Sequence, residues 1–132
     1  MGVKADYPCH LTGREGESCA AEYLEKLGYE VLFRNWRKRG GEIDIIALNN
    51  ETLVFAEVKT WPHGKFEDLE RVMGYVKRKR IMETAKCFLY MYRQYKSSYI
   101  RFDVLLVDFS CFRESTSAAG GRVHHIINAF SE

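Results

Sequence analysis

The stretch GEIDIIALNNETLVFAEVKTW, residues 41–61, decides the fold. Two strand-like runs, GEIDIIAL (41–48) and TLVFAEVKTW (52–61), flank Asn49-Asn50-Glu51, a turn composition suited to a hairpin. In the second run Leu53, Phe55, Glu57 and Lys59 project from one face, and Val54, Ala56 and Val58 from the other. A strand apolar on both faces is central in a sheet. Two charges at the end of such a strand need a physical reason, because an uncompensated buried charge is very costly.

Parity brings a third charge to that end. Directly opposed residues of an antiparallel pair point to the same face. A four-residue loop sets Leu48 opposite Leu53 and therefore Asp44 opposite Glu57. A two-residue loop sets Asp44 opposite Phe55, diagonal to Glu57. An odd loop or a bulge would break either register. Both even registers gather Asp44, Glu57 and Lys59 into one compact cluster.

Working outward, REGESCAAEYLEKLG carries Ala20, Ala21, Tyr23, Leu24 and Leu27 at helical spacing, with Thr12 and Glu15 placed for a capping box and Gly28 for the helix end. YEVLFRNW reads as a strand and RKRGG as a basic turn. A helical region from about Leu69 to Tyr95, broken or bent near Gly74, shows the stripe Ile81, Met82, Ala85, Phe88, Leu89 and Tyr92. IRFDVLLVDF is apolar enough to be buried on both faces, and RVHHIINAF makes a last strand. Helix, three strands, helix, two strands predicts an α/β domain with a mixed sheet. The expected organisation is one domain over 1–132, with 1–12 a flexible N-terminal segment and 110–121 a loop.

Composition sets the class. With 132 residues the chain can bury about two thirds of its extended surface. At 46% hydrophobic and 29% charged, it is neither disordered nor fibrous. Net charge is only +2, so bulk charge does not announce a nucleic-acid partner, although local clusters can supply the field. Cys9, Cys19, Cys87 and Cys111 show no paired CxxC spacing, which argues against zinc and for free thiols in a reducing cytoplasm. Neither a signal peptide nor a membrane span is expected, and Asp6 stands where a myristoylation motif needs Ser or Thr.

Two carboxylates side by side repel unless a cation lies between them. An oxygen-rich site with few protein ligands suits Mg²⁺ or Mn²⁺, which retain waters and accept phosphate oxygens. Such an ion polarises a phosphate and activates water, while Lys59 positions that water or offsets developing charge. The chemistry implied is phosphodiester hydrolysis. Glu17, on the apolar stripe of the first helix, can close the cluster from the helix side.

GREGESCAAEYLEKLGYEVLFRNWRKRGGEIDIIA, LVFAEVKT, RFDVLLVD and the closing NAF closely resemble the YraN family, a largely uncharacterised bacterial family assigned to the PD-(D/E)xK, restriction-endonuclease-like superfamily. The resemblance runs from about Gly13 to Phe130. It implies a restriction-endonuclease-like fold, a central mixed β-sheet flanked by α-helices, with a metal site on the hairpin in which Asp44 and Glu57 are metal ligands, the Val58 carbonyl a further ligand, Lys59 the catalytic lysine and Glu17 a supporting acid. Trp61 stands where relatives commonly have Arg, and Glu67 where a glycine usually follows Phe66. Those departures leave the four core residues intact and touch the loop contacts to substrate. Holliday-junction resolvases of related fold act as dimers, so a homodimer stays open here on fold-level analogy alone.

Against the metal stands an ordinary account, in which Asp44, Glu57 and Lys59 form a structural ion cluster at a strand end, and Glu17 is a first-turn helix carboxylate. Glu42, on the same face as Asp44, is an alternate ligand or an exposed strand start. Two basic clusters are available to phosphates: Arg34, Arg37, Lys38 and Arg39 around Trp36, and Lys77 to Arg80. Of these Arg37, Lys38, Arg39 and Lys77 are the favoured nucleic-acid contacts, Lys77 because it matches a lysine common in the family. Trp36 fits a core role better than base stacking, and Asp103 is expected to pair with Arg101. The expected function is a Mg²⁺- or Mn²⁺-dependent nuclease acting on DNA or structured nucleic acid. Its alternative is a binding module that retains the nuclease fold without cleaving.

Overall fold

The computed structural model describes residues 9–60, 73–108 and 122–131. Seven elements follow in chain order: α1 (Cys9–Lys26), β1 (Glu30–Lys38), β2 (Gly41–Asn49), β3 (Thr52–Thr60), α2 (Tyr75–Met91), β4 (Tyr99–Asp108) and β5 (Arg122–Phe130), with a short 3₁₀ turn at Arg93–Tyr95. The strands form one sheet in the order β1-β2-β3-β4-β5. β3 and β4 run parallel across the connection that carries α2, and every other neighbouring pair is antiparallel. The chain is therefore α/β, with a five-stranded mixed sheet and two α-helices among the described residues, an architecture consistent with a restriction-endonuclease-like fold.

Each helix covers one face. On one side Ala20, Ala21 and Leu24 of α1 bury against Ile45, Ala47, Val54, Ala56, Val58, Leu105 and Val107. On the other, Ile81, Ala85 and Phe88 of α2 bury against Ile43, Ile46, Leu53, Phe55, Val104 and Leu106. Phe88 centres the second layer, with ring contacts to Phe33, Trp36, Phe55, Tyr92 and Tyr95. Trp36 thus takes the core role favoured from sequence. β4 is buried on both faces from Phe102 to Val107, as its apolar run demands.

The helix ends follow local chemistry. Gly28 adopts φ +97°, and the Tyr29 N–H donates to Leu24 O at 3.0 Å while the Gly28 N–H donates to Glu25 O at 3.0 Å. That closes α1 with a Schellman motif. Leu27, placed on the buried stripe by spacing, is 55% exposed, because the chain leaves the helix there. α1 begins at Cys9, so Thr12 lies inside the helix rather than capping it, and residues 9–12 belong to α1 rather than to the expected N-terminal segment. Cys9, His10 and Leu11 include no residue that would stop a helix. The described part of the second helix starts after Gly74, the position where a break or a bend was expected. The expected loop at 110–121, and Trp61, Phe66 and Glu67, lie outside the described residues. Cys19 and Cys87 are free thiols, and burial pushes the Cys19 thiol up, keeping it protonated.

Two glycines set the spacing between helices and sheet at one end of the molecule. A side chain on Gly16 of α1 would run into Thr60 Oγ1 at the end of β3. A side chain on Gly41, at the start of β2, would run into Thr84 Oγ1 of α2. The start of β2 and the end of β3 share one end of the sheet, so both helices close on it there.

Candidate functional site

β2 and β3 pair as Asn49↔Thr52, Leu48↔Leu53, Ala47↔Val54, Ile46↔Phe55 and Ile45↔Ala56. This is the register that aligns Asp44 with Glu57, although only Asn50 and Glu51 remain unpaired in the turn. Asn50 takes φ +57°, which Asn tolerates better than most residues. Beyond Ile45↔Ala56 the ladder stops, and the carboxylate pair lies at that opening.

A distortion on the other side of β2 prepares the opening. β1 pairs with β2 at Arg34↔Ile45 and again at Trp36↔Ile43, skipping Asn35 and Asp44. Asn35 has φ +54°. On both strands the inside–outside alternation slips at this rung: Phe33 and Trp36 both face α2, and so do Ile46 and Ile43. Asp44 is thereby released from the ladder. Its Oδ2 accepts the Val58 backbone N–H of β3 at 2.8 Å. The freed Asn35 side chain donates from Nδ2 to Glu17 Oε1 of α1 at 2.8 Å.

The electrostatics are those of crowded acids. Asp44 and Glu57 are both buried. Burial first, and then the Glu57 carboxylate, push the Asp44 carboxyl up to about 7, against the opposing pull of the Val58 N–H; Glu17 and Glu42 add to the rise. Three carboxylates therefore bear on Asp44, Glu17 among them from the α1 side. Glu42 is also held by Arg37, 3.3 Å from its carboxylate.

The ammonium in contact with Glu57 comes from α2: Lys77 Nζ lies 2.7 Å from Glu57 Oε2. Lys59 is half-buried at the end of β3, and among the described residues it has no ion-pair partner. The physical reason is direction: a lysine on the same strand as Glu57 stands beside it, whereas one from the covering helix can reach down onto it. Lys38 and Arg39 are exposed at the β1–β2 turn, at the same end of the sheet, and Arg37 is exposed apart from its pairing with Glu42.

The donors that Asp44 and Glu57 would offer a cation are the oxygens of two buried carboxylates. That set fits Mg²⁺ or Mn²⁺, which fill their remaining positions with water and substrate oxygens. Among the described residues no group of three or more His, Cys, Asp or Glu side chains is arranged to hold a metal.

A second buried polar cluster went largely unseen in the sequence. Arg101 forks onto Asp103 at 2.9 and 2.8 Å, as expected, and its Nη2 also donates to the Tyr29 hydroxyl at 2.6 Å. His125 Nε2 lies 2.6 Å from Asp103 Oδ2, and its Nδ1 is 3.1 Å from the Tyr23 hydroxyl. The Asn128 N–H donates to Asp103 Oδ1 at 2.9 Å from a bulge where Asn128 has φ +55°. Burial alone would raise the Asp103 carboxyl, but the donors from His125, Arg101 and Asn128 outweigh it and hold the group below the usual carboxylate range. Every partner of this carboxylate is satisfied, which marks it as a structural pin between α1 and the sheet edge. The sequence signal was faint: a lone Asp in a buried strand and a His in the strand beside it.

Comparison with known proteins places these residues in context. Residues 16–107 match the model of the uncharacterised protein family UPF0102, which is the YraN family. A UPF0102 protein of Treponema pallidum (strain Nichols) is 47% identical over 103 residues, covering 78% of this chain and 82% of its own. One from Treponema denticola is 40% identical over 127 residues, covering 91% and 95%. One from Geobacter metallireducens is 39% identical over 118 residues, covering 89% and 90%. The matched span contains the whole acid cluster and Lys77. None of the described helices is long and apolar enough to cross a membrane.

Proposed function

The chain belongs to the uncharacterised protein family UPF0102, and from that footing we propose that it is a Mg²⁺- or Mn²⁺-dependent nuclease that hydrolyses phosphodiester bonds in DNA or structured nucleic acid in the cytoplasm. The observation that carries this reading is the buried pair Asp44 and Glu57 at the opening between β2 and β3. A fold gains nothing in stability from two adjacent buried acids, one of them lifted to about 7. Such strain is expected where a site is kept for a ligand.

In this reading Asp44 and Glu57 hold the ion, with the Val58 carbonyl as a further donor. The ion, when bound, supplies Lewis-acid polarisation of a phosphate oxygen and activation of water. Lys59, free of any carboxylate among the described residues, orients the attacking water and offsets charge on the phosphate. Glu17, held by Asn35, keeps the Asp44 environment acidic from the α1 side. Lys38 and Arg39 at the β1–β2 turn, Arg37 beside them and Lys77 supply cations for flanking phosphates. The first two turns of α2 carry Lys77, Arg78, Lys79 and Arg80, and its first turn has no acid, an arrangement that a polyanion would relieve.

The test is divalent-dependent cleavage by purified protein across single-stranded, duplex and branched substrates. Activity that needs Mg²⁺ or Mn²⁺ and disappears in Asp44→Ala and Lys59→Ala supports the assignment. Equal cleavage by those variants points to a contaminant. One observation favours the alternative of a non-cleaving nucleic-acid binder: Glu57 already has a cation, Lys77, on one oxygen. That reading expects salt-sensitive binding with no divalent-dependent turnover.

A further inference from the structure

We propose that Lys77 is a displaceable cation at the acid pair: it occupies Glu57 while the metal is absent and yields that carboxylate when the metal enters. The inference rests on the metal reading above and adds to it an exchange that neither the fold nor the family description contains. Its basis is the contact between Lys77 Nζ and Glu57 Oε2 at 2.7 Å. A divalent ion bound to the same carboxylate would repel an ammonium a few ångströms away, the more strongly because the acid pair is buried. The two cations would compete for the position. The geometry says which of them would give way.

Glu57 is fixed: its side chain is 9% exposed, on a central strand. Lys77 is not, since its side chain is 40% exposed and hangs on a flexible four-carbon stem from the first turn of α2. The helix itself favours departure. Gly74 caps α2 without a side-chain hydrogen bond, no acid neutralises its first turn, and three more cations follow Lys77 directly. A positive charge at a helix N-terminus is held there only by what it touches. Lys77 touches a carboxylate that Asp44 also crowds, so the pair stabilises the metal-free protein without locking it. Released, the ammonium stays within one side-chain length of the ion, where a scissile or neighbouring phosphate oxygen is the anion on offer. The exchange keeps the acids neutralised in turn by lysine and by metal, and it couples metal entry to the appearance of a free cation beside it.

The experiment titrates Mn²⁺ alone into the full chain by calorimetry in a phosphate-free buffer, for the wild type, Lys77→Met and Lys77→Arg. Removing the competitor should tighten Mn²⁺ binding about fivefold in Lys77→Met, as expected for a partly exposed ion pair. Lys77→Arg, which keeps the charge, should stay near the wild-type value. A second measurement on the wild type needs no variant to fold: acetylation of lysines by an amine-reactive ester, read by mass spectrometry with and without Mn²⁺. Labelling of Lys77 should rise several-fold with Mn²⁺, while that of Lys79 stays constant. Equal Mn²⁺ affinity in the wild type and Lys77→Met, or unchanged Lys77 labelling, overturns the exchange and leaves the metal reading standing. Absence of Mn²⁺ binding in all three proteins overturns both.

Discussion

Asp44 Oδ2 accepts the Val58 backbone N–H at 2.8 Å, so a side chain of β2 occupies a hydrogen-bonding position that the sheet ladder would otherwise fill. This one bond ties three features together. It satisfies a buried donor where β2 and β3 part. It holds Asp44 within reach of Glu57, and it opposes, without cancelling, the upward push that burial and Glu57 exert on the Asp44 carboxyl. The acid is fixed by a neutral donor, and its charge is left for something else to balance.

Asp44→Asn separates those roles. The amide oxygen can still accept the Val58 N–H, but the residue no longer ionises beside Glu57. A carboxyl raised in the fold contributes its stability below the ordinary carboxylate range and loses it as pH rises through about 7. At pH 8 in EDTA the variant should therefore melt higher than the wild type, by roughly 3 °C or more, about 1 kcal/mol for a chain of this size. Added Mn²⁺ should raise the wild-type melting temperature and leave the variant unmoved. Thermal melts with and without the ion check both statements.

Lys59 is predicted to separate binding from chemistry. It lacks an ion-pair partner among the described residues, so Lys59→Ala should change the melting temperature little and leave Mn²⁺ affinity near the wild-type value. Cleavage should fall by about 10²- to 10⁴-fold, the usual cost of removing a group that positions a proton or a nucleophile. Single-turnover cleavage beside Mn²⁺ calorimetry gives the comparison. A variant that loses metal binding and activity together would assign Lys59 to the architecture of the site instead.

What could be read from the chain, and what could not, follows from the range of the interactions. Strand identity, the order of elements and the α2 stripe are local patterns, legible in residues such as Leu53 to Val58 and Ile81 to Phe88. The alignment of Asp44 with Glu57 follows from parity along one hairpin. The slip at Asn35 and Asp44 does not, because nothing in FRNWRKRGGEID marks a residue that leaves its ladder. Lys77 on Glu57 and His125 on Asp103 were equally hidden. Each joins elements far apart in sequence, and a side chain's reach from a covering helix is decided by packing distance, which composition does not encode.

That packing distance is testable at Gly41. An alanine Cβ there would overlap Thr84 Oγ1, a hydroxyl already committed to Arg80 O at 2.8 Å. Gly41→Ala should push α2 away from the start of β2 and cost about 1–3 kcal/mol, as overpacking does. Thr84→Ala should recover most of that loss in the double variant, a non-additivity that urea denaturation of the four proteins measures. Because α2 carries Lys77, Gly41→Ala should also lengthen the reach to Glu57 and, if the lysine exchange holds, tighten Mn²⁺ binding. Gly41→Ala alone therefore reports on the site through a residue that touches none of its ligands.

Asp103 should govern the acid limb of stability. It is fully buried, and Arg101, His125 and Asn128 hold its carboxyl below the ordinary value of 3.8. A depressed carboxyl contributes stability in full above its unfolded value, and the contribution is lost as pH falls through the folded one. Asp103→Asn leaves Arg101 without its buried counter-charge and should cost about 3–5 kcal/mol at pH 7. The deficit should hold nearly constant down to the ordinary carboxylate value and shrink below it, where the wild-type carboxyl takes up its own proton. Urea midpoints collected from pH 7 to pH 3 trace this. A deficit independent of pH across that range would mean that the charge of Asp103 is not what fastens β4 and β5 to α1. Shape and hydrogen bonding would then carry the pin, and Asn would fail for geometry alone.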